Sequence, residues 1–193
     1  MLKKFLISCL FIFLVACGND STQQFYGSDI SAANLDASFS LTSHHGERAS
    51  LDSYKNKVIA VFFGFTNCPD ICPTSLQELK YIKQELGQAG NNFQVLFISL
   101  DPERDTQEKL SLFIPSFDPT FIGLYGSSNE VDAMANQYKV FHQKVEQGDS
   151  YTIDHSSGIY LIDRSGKIRI RHPYGSPVEG IIADIQQLLS ESI

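Results

Sequence analysis

The 193-residue chain is short of basic residues, of cysteine and of long apolar runs, and each shortage closes off a class of protein. Fifteen Lys and Arg stand against 22 Asp and Glu, a formal charge of −7, and the basic residues form no cluster. Nucleic-acid-binding domains ordinarily show a basic face, so no nucleic-acid partner is expected. Four cysteines are too few for a disulfide scaffold. The apolar run Phe5–Val15, broken by Ser8 and Cys9, rises about 16 Å as a helix, short of the roughly 30 Å core of a bilayer. No internal repeat or low-complexity tract is present, which excludes solenoids and arrays. What the chain does hold is 42% hydrophobic residues, 14 of them Phe, with 19% charged. That composition can build one buried core, and the length allows one domain after loss of an N-terminal peptide.

The N-terminus carries the form of an export signal. Lys3 and Lys4 precede the apolar run, which ends Leu14-Val15-Ala16-Cys17-Gly18. That ending resembles a bacterial lipobox. The resemblance implies that residues 1–16 are a lipoprotein signal peptide, cut away before Cys17, and that Cys17 bears the lipid. The expected location is the bacterial cell envelope, with the domain outside the cytoplasm and a membrane held through acyl chains. Cys9 is discarded with the peptide. Residues 17–36 are polar and read as the lipidated cysteine and a flexible tether, with Phe25 and Tyr26 as first packing points. Residues 37–193 form the domain.

Within the domain the apolar pattern alternates between strand and helix. Ser38–Thr42 and the His44–Glu47 turn predict an N-terminal hairpin. Val58–Phe63 and Phe93–Leu100 are continuous apolar runs suited to strands buried on both faces. Leu76, Leu79, Ile82 and Leu86 recur at helical spacing. Asp105 and Glu108 are spaced as a capping box for a helix near 106–114. A strand at Phe121–Leu124 and a helix at Ser128–Tyr138 follow, an insertion relative to the smallest domains of this kind. Lys139–Val145 and Tyr151–Ile153 are strands, Gly158–Asp163 and Lys167–Arg171 a hairpin, and Pro177 opens a last helix. The order predicts an α/β thioredoxin-like fold, a mixed central sheet flanked by helices.

Cys68 and Cys72 stand four residues apart where a buried strand meets a helix. On a helix that spacing puts both on one face, about 6 Å apart, close enough for a disulfide or for two thiolates on one metal. Free N–H groups at a helix start favour the thiolate. Pro69 and Pro73 stiffen the loop. Two thiolates select Cu(I), zinc or iron–sulfur centres, and the shortage of further cysteines disfavours the last two. Of five histidines, His155 lies in a loop before a buried strand, which in a thioredoxin-like layout faces the cysteine pair. Asp154 beside it is placed to orient it. His44, His45, His142 and His172 read as solvated.

Three segments resemble the Sco (SenC) family of copper-binding, thioredoxin-like assembly proteins: Gly64-Phe65-Thr66-Asn67-Cys68-Pro69-Asp70-Ile71-Cys72-Pro73, Ser99-Leu100-Asp101-Pro102-Glu103-Arg104-Asp105-Thr106, and Asp154-His155-Ser156-Ser157 with Tyr160–Asp163. Phe65 departs from the tyrosine of many relatives, and a lipid in place of their transmembrane helix is a second departure. The resemblance implies a copper ion held by Cys68, Cys72 and His155 as metal ligands. It implies delivery to the copper-binding subunit of cytochrome c oxidase during assembly. An upstream copper donor or a thiol reductant would be a further partner. Asp101–Thr106 reads as turn and cap rather than as a site.

Two other chemistries fit the same cysteines. As a thiol–disulfide oxidoreductase, Cys68 attacks and Cys72 resolves the mixed disulfide, reducing target cysteines before metallation. As a peroxidase, one thiolate would act without the histidine.

Overall fold

The computed structural model describes residues 24–192, so the signal peptide (1–16) and the lipid site Cys17 lie outside the described residues. The strands are β1 (Ser28–Asp29), β2 (Ser40–Ser43), β3 (Arg48–Ser50), β4 (Val58–Gly64), β5 (Phe93–Ser99), β6 (Ile122–Tyr125), β7 (His142–Gln147), β8 (Ser150–His155), β9 (Gly158–Ile162) and β10 (Ile168–Pro173). The helices are α1 (Ile71–Glu85), α2 (Gln107–Phe113), α3 (Ser128–Gln137) and α4 (Val178–Ser190).

Eight strands form one mixed sheet in the order β1-β10-β9-β4-β5-β6-β2-β3. β4 and β5 pair in parallel at its centre, and every residue of both is buried. Helices cover both faces of such a parallel pair, which is why these strands are apolar throughout rather than alternating. β9 runs antiparallel to β4, and β6 runs parallel to β5. Leu76, Leu79 and Ile82 of α1 and Ile181, Ile185 and Leu188 of α4 are buried against this core. The expected thioredoxin-like arrangement is present, with the N-terminal hairpin β2–β3 at one edge.

The topology brings four chain segments to one end of the sheet. There β4 and β5 finish, α1 begins and β9 begins. β7 and β8 stand apart from the main sheet as a hairpin whose register ends on His142 opposite His155.

Several expectations change. The tether does not extend to residue 36: Ser28 and Asp29 pair with β10. Phe25 packs on the core while Tyr26 stays 76% exposed. His44 is buried, because its Nδ1 accepts the Gly123 N–H at 3.0 Å while its own N–H donates to the Gly123 carbonyl. His172 is buried too, with Nε2 2.9 Å from the buried Asp184 carboxylate on α4. His142 is half-buried, 3.2 Å from Asp132. Asp105 is not a cap. Thr106 takes that place, its hydroxyl accepting the Lys109 N–H at 3.2 Å, and the Asp105 carboxylate turns inward.

Candidate metal centre

Cys68 precedes α1 rather than sharing its face with Cys72. The helix begins at Ile71, so Cys72 lies in its first turn and Cys68 in the preceding loop. A turn in which Cys68 N–H donates to the Phe65 carbonyl at 3.2 Å folds that loop back. Cys72 N–H then points at the Cys68 sulfur, 3.4 Å away. Both thiols are free; Cys72 is fully buried and Cys68 partly exposed. Gly64 makes this burial possible. A Cβ at Gly64 would lie 2.7 Å from Cys72 Sγ and 2.9 Å from the Phe97 ring.

The two sulfurs differ in acidity. Cys68 is lowered to about 5, chiefly because the Cys72 thiol donates to it, with the N–H groups of Cys72 and Asp70 and a smaller pull from His155 acting against burial. Cys72 is pushed far up, first by donating to the Cys68 sulfur and then by burial. The pair shares one proton, and Cys68 carries the negative charge.

His155 ends β8 and lies in the same cleft, about 480 Å³ in volume, as Phe65, Cys68, Pro69, Ile71 and Ile153. Its ring meets Phe65 edge-on, 6.0 Å between centroids. Its Nδ1 lies 3.0 Å from the Ser156 carbonyl, which leaves Nε2 for a ligand. Asp154, exposed on β8, borders the same cleft but makes no hydrogen bond to the His155 ring, whose Nδ1 faces the Ser156 carbonyl instead. Among the described residues no three His, Cys, Asp or Glu side chains are gathered tightly enough to hold a metal ion. The donor chemistry suits copper, and ligation by all three would need the two sulfurs and the His155 ring to stand closer together than they do here.

The segment Asp101–Asp105 ties the cysteine loop to the histidine hairpin. Asp105 accepts the Thr66 N–H at 3.0 Å, the Thr66 hydroxyl at 2.5 Å and the Ser99 hydroxyl at 2.7 Å. Asp101 accepts the Arg104 Nε–H at 2.5 Å and the Tyr151 hydroxyl at 2.7 Å. Arg104 donates to the Tyr151 carbonyl at 2.8 Å and lies 3.5 Å from the centre of its ring. Lys144 sits 3.8 Å from the same ring centre and pairs with Glu103 at 2.9 Å. Residue order marks Asp101–Thr106 as a turn, a cap and a family signature, but not the bonds that join Thr66, Ser99, Arg104 and Tyr151 to it. Two signals were available: the density of charge in a short loop between a buried strand and a helix, and the resemblance of Ser99–Thr106 to the family pattern.

The SCO1/SenC family model matches residues 27–190. The chain belongs to that family. It is 39% identical over 146 residues to the SCO2-like protein of Rickettsia felis, covering 73% of this chain and 71% of the relative. ScoI of Bradyrhizobium japonicum, solved with copper bound, superposes with a TM-score of 0.74 at 36% identity, over 80% of this chain and 99% of that one. BsSco, described as a member of the Sco family of cytochrome c oxidase assembly proteins and as carrying a disulfide switch, matches with a TM-score of 0.67 at 25% identity, over 86% of this chain and 98% of that one.

Proposed function

We propose that this SCO1/SenC protein is a membrane-tethered copper chaperone. Cys68, Cys72 and His155 hold the ion and pass it to the copper-binding subunit of cytochrome c oxidase during assembly. The observation that carries this reading is one cleft lined by a Cys68 thiolate and an imidazole whose Nδ1 is already turned toward a carbonyl, with the buried Cys72 directly behind the Cys68 sulfur. Copper bound to ScoI of Bradyrhizobium japonicum supports the cargo, and the oxidase-assembly description of BsSco supports the destination. Two thiolates and one imidazole form an exchangeable three-coordinate set, as a delivery protein needs. Lipid on Cys17 is the proposed tether in the cell envelope. No described helix is long and apolar enough to cross a membrane.

Copper here is cargo, and the residues do the handling. Cys68, already ionised, meets the ion first at the mouth of the cleft. Cys72 must lose its proton to follow, so loading releases a proton and weakens as pH falls. His155 then closes from the β8 end. Copper stoichiometry of the wild type and of Cys68→Ala, Cys72→Ala and His155→Ala tests the assignment; unchanged binding in all three would sink it.

The acidity gap between the thiols favours a second reading, a thiol–disulfide oxidoreductase that prepares target cysteines. In it the Cys68 thiolate attacks a target disulfide, and Cys72 gives up its proton and closes the Cys68–Cys72 disulfide, releasing two target thiols; an external thiol reductant restores the pair. The readings separate at His155→Ala, which leaves a reductase active and disables the chaperone.

A further inference from the structure

Upstream of β1 the chain makes a built contact with the domain. Tyr26 N–H donates to Asp184 Oδ1 at 2.9 Å and Gly27 N–H to Oδ2 at 2.8 Å, on a carboxylate buried in α4. Gly27 leaves no room for a side chain: a Cβ there would lie 2.5 Å from Ile170 and 2.8 Å from the His172 ring. The backbone bends at Tyr26 and Gly27. On one side of the bend β1 runs along β10. On the other, Gln24 and Phe25 border one groove with Arg169, Gln187 and Glu191, and the Arg169 guanidinium lies 5.6 Å from the Phe25 ring centre.

That groove identifies where the chain arrives. Gln187 and Glu191 belong to the C-terminal end of α4, which Arg164 of the β9–β10 turn reaches through the Leu189 and Glu191 carbonyls. This is the end of the sheet opposite Cys68, since β4 begins there and finishes at the cysteine loop. From Cys17 to Gln24 there are seven peptide steps, a reach of at most about 25 Å.

Charge divides the same way. At the arrival end Lys57, Arg164 and Lys167 stand outside any salt bridge among the described residues, Lys55 pairs with Asp52, and Arg169 holds Asp163 and Glu191; Asp29, Glu85 and Asp118 are the remaining acids there. The cysteine end presents Asp70, Glu103 and Asp154 to solvent, with Lys144 pairing Glu103 and Lys109 donating to Asn67 of the cysteine loop.

We infer that the strap 24–29 and the loops bearing Lys57, Arg164 and Lys167 seat the domain on the anionic lipid surface that carries its anchor, with Cys68 directed away from the bilayer. This rests on the lipidation of Cys17 proposed above. The seven residues of β4 then hold the cysteine loop about 20 Å further out, where a partner's extramembrane domain can reach it.

The experiment uses the acylated full chain on phosphatidylcholine vesicles containing phosphatidylglycerol and a headgroup energy-transfer acceptor. One donor dye sits on Cys68 in Cys72→Ser. Another sits on Gln88→Cys in Cys68→Ser/Cys72→Ser, at the arrival end. The dye at 88 is expected about 20 Å nearer the headgroups. Gly27→Val, which the close contacts exclude from the docked strap, is expected to bring the two distances together, and Lys57→Glu/Lys167→Glu to narrow them. Equal distances, or Cys68 nearer, in a chain that floats with the vesicles overturn the orientation. Distances unmoved by Gly27→Val overturn the strap's part in it, and distances unmoved by the charge reversals overturn the part of the lipid charge. A chain without acyl mass on Cys17 that does not float overturns the anchor, and the orientation with it.

Discussion

Asp105 accepts both the N–H and the hydroxyl of Thr66, at 3.0 and 2.5 Å, across 39 positions of sequence. Thr66 opens the cysteine loop, and the same segment grips the histidine hairpin through Asp101 and Arg104. The family signature around Asp105 is therefore the bracket between two parts of the site.

Asp105→Ala is expected to cost about 2–4 kcal/mol, because the buried Ser99 hydroxyl and two half-buried Thr66 donors lose their acceptor. The variant should also lower copper stoichiometry while leaving Cys68 and Cys72 in place. Thermal melting and metal analysis check the two effects. A wild-type melting temperature would remove Asp105 from the bracket.

Tyr151→Phe keeps the ring against which Arg104 and Lys144 lie but deletes the hydroxyl donated to Asp101. A loss of about 1 kcal/mol is expected. Faster amide hydrogen exchange across Ser150–His155 should accompany it, with α4 unaffected. Exchange mass spectrometry distinguishes this local loosening from global destabilisation.

The acidity of Cys68 should appear as alkylation by iodoacetamide that is half-maximal near pH 5 in the reduced protein, and Cys72→Ala should move that midpoint up by removing the main donor. Stability follows with a determined sign. Between about 5 and 9 the unfolded Cys68 holds a proton that the folded one has lost, so stability rises with pH and is lost as pH falls through about 5. Above about 9 the folded Cys72 keeps a proton that the unfolded one releases, and stability falls. Urea melts of reduced protein across this range check both limbs.

Gly64→Ala should displace Cys72 or the Phe97 ring, at a cost of about 1–3 kcal/mol from overpacking. Faster reaction of Cys72 with an aromatic disulfide reagent is the expected sign. Unchanged reactivity together with unchanged melting would show that the strand end yields freely.

Much of the molecule was legible in residue order. Continuous apolar runs announced β4 and β5, a helical period announced α1, and CxxxC beside DPERDT and DHSS announced the family. These are local signals: burial on both faces, a 3.6-residue period and fixed short spacings each appear within a few neighbouring residues. The side-chain partners are not local. Asp105 fits the sequence pattern of a cap, and His44 and His172 fit that of loop histidines, until folding brings Thr66, Gly123 and Asp184 to them. Nor does residue order reveal that Cys68 is the thiolate, because its acidity depends on which N–H and S–H groups the first turn of α1 aims at its sulfur. Residue order names the atoms that could do chemistry; which of them are charged, which are buried and how the His155 ring is turned follow from the folded state, since hydrogen bonds and desolvation act between segments that the chain keeps far apart.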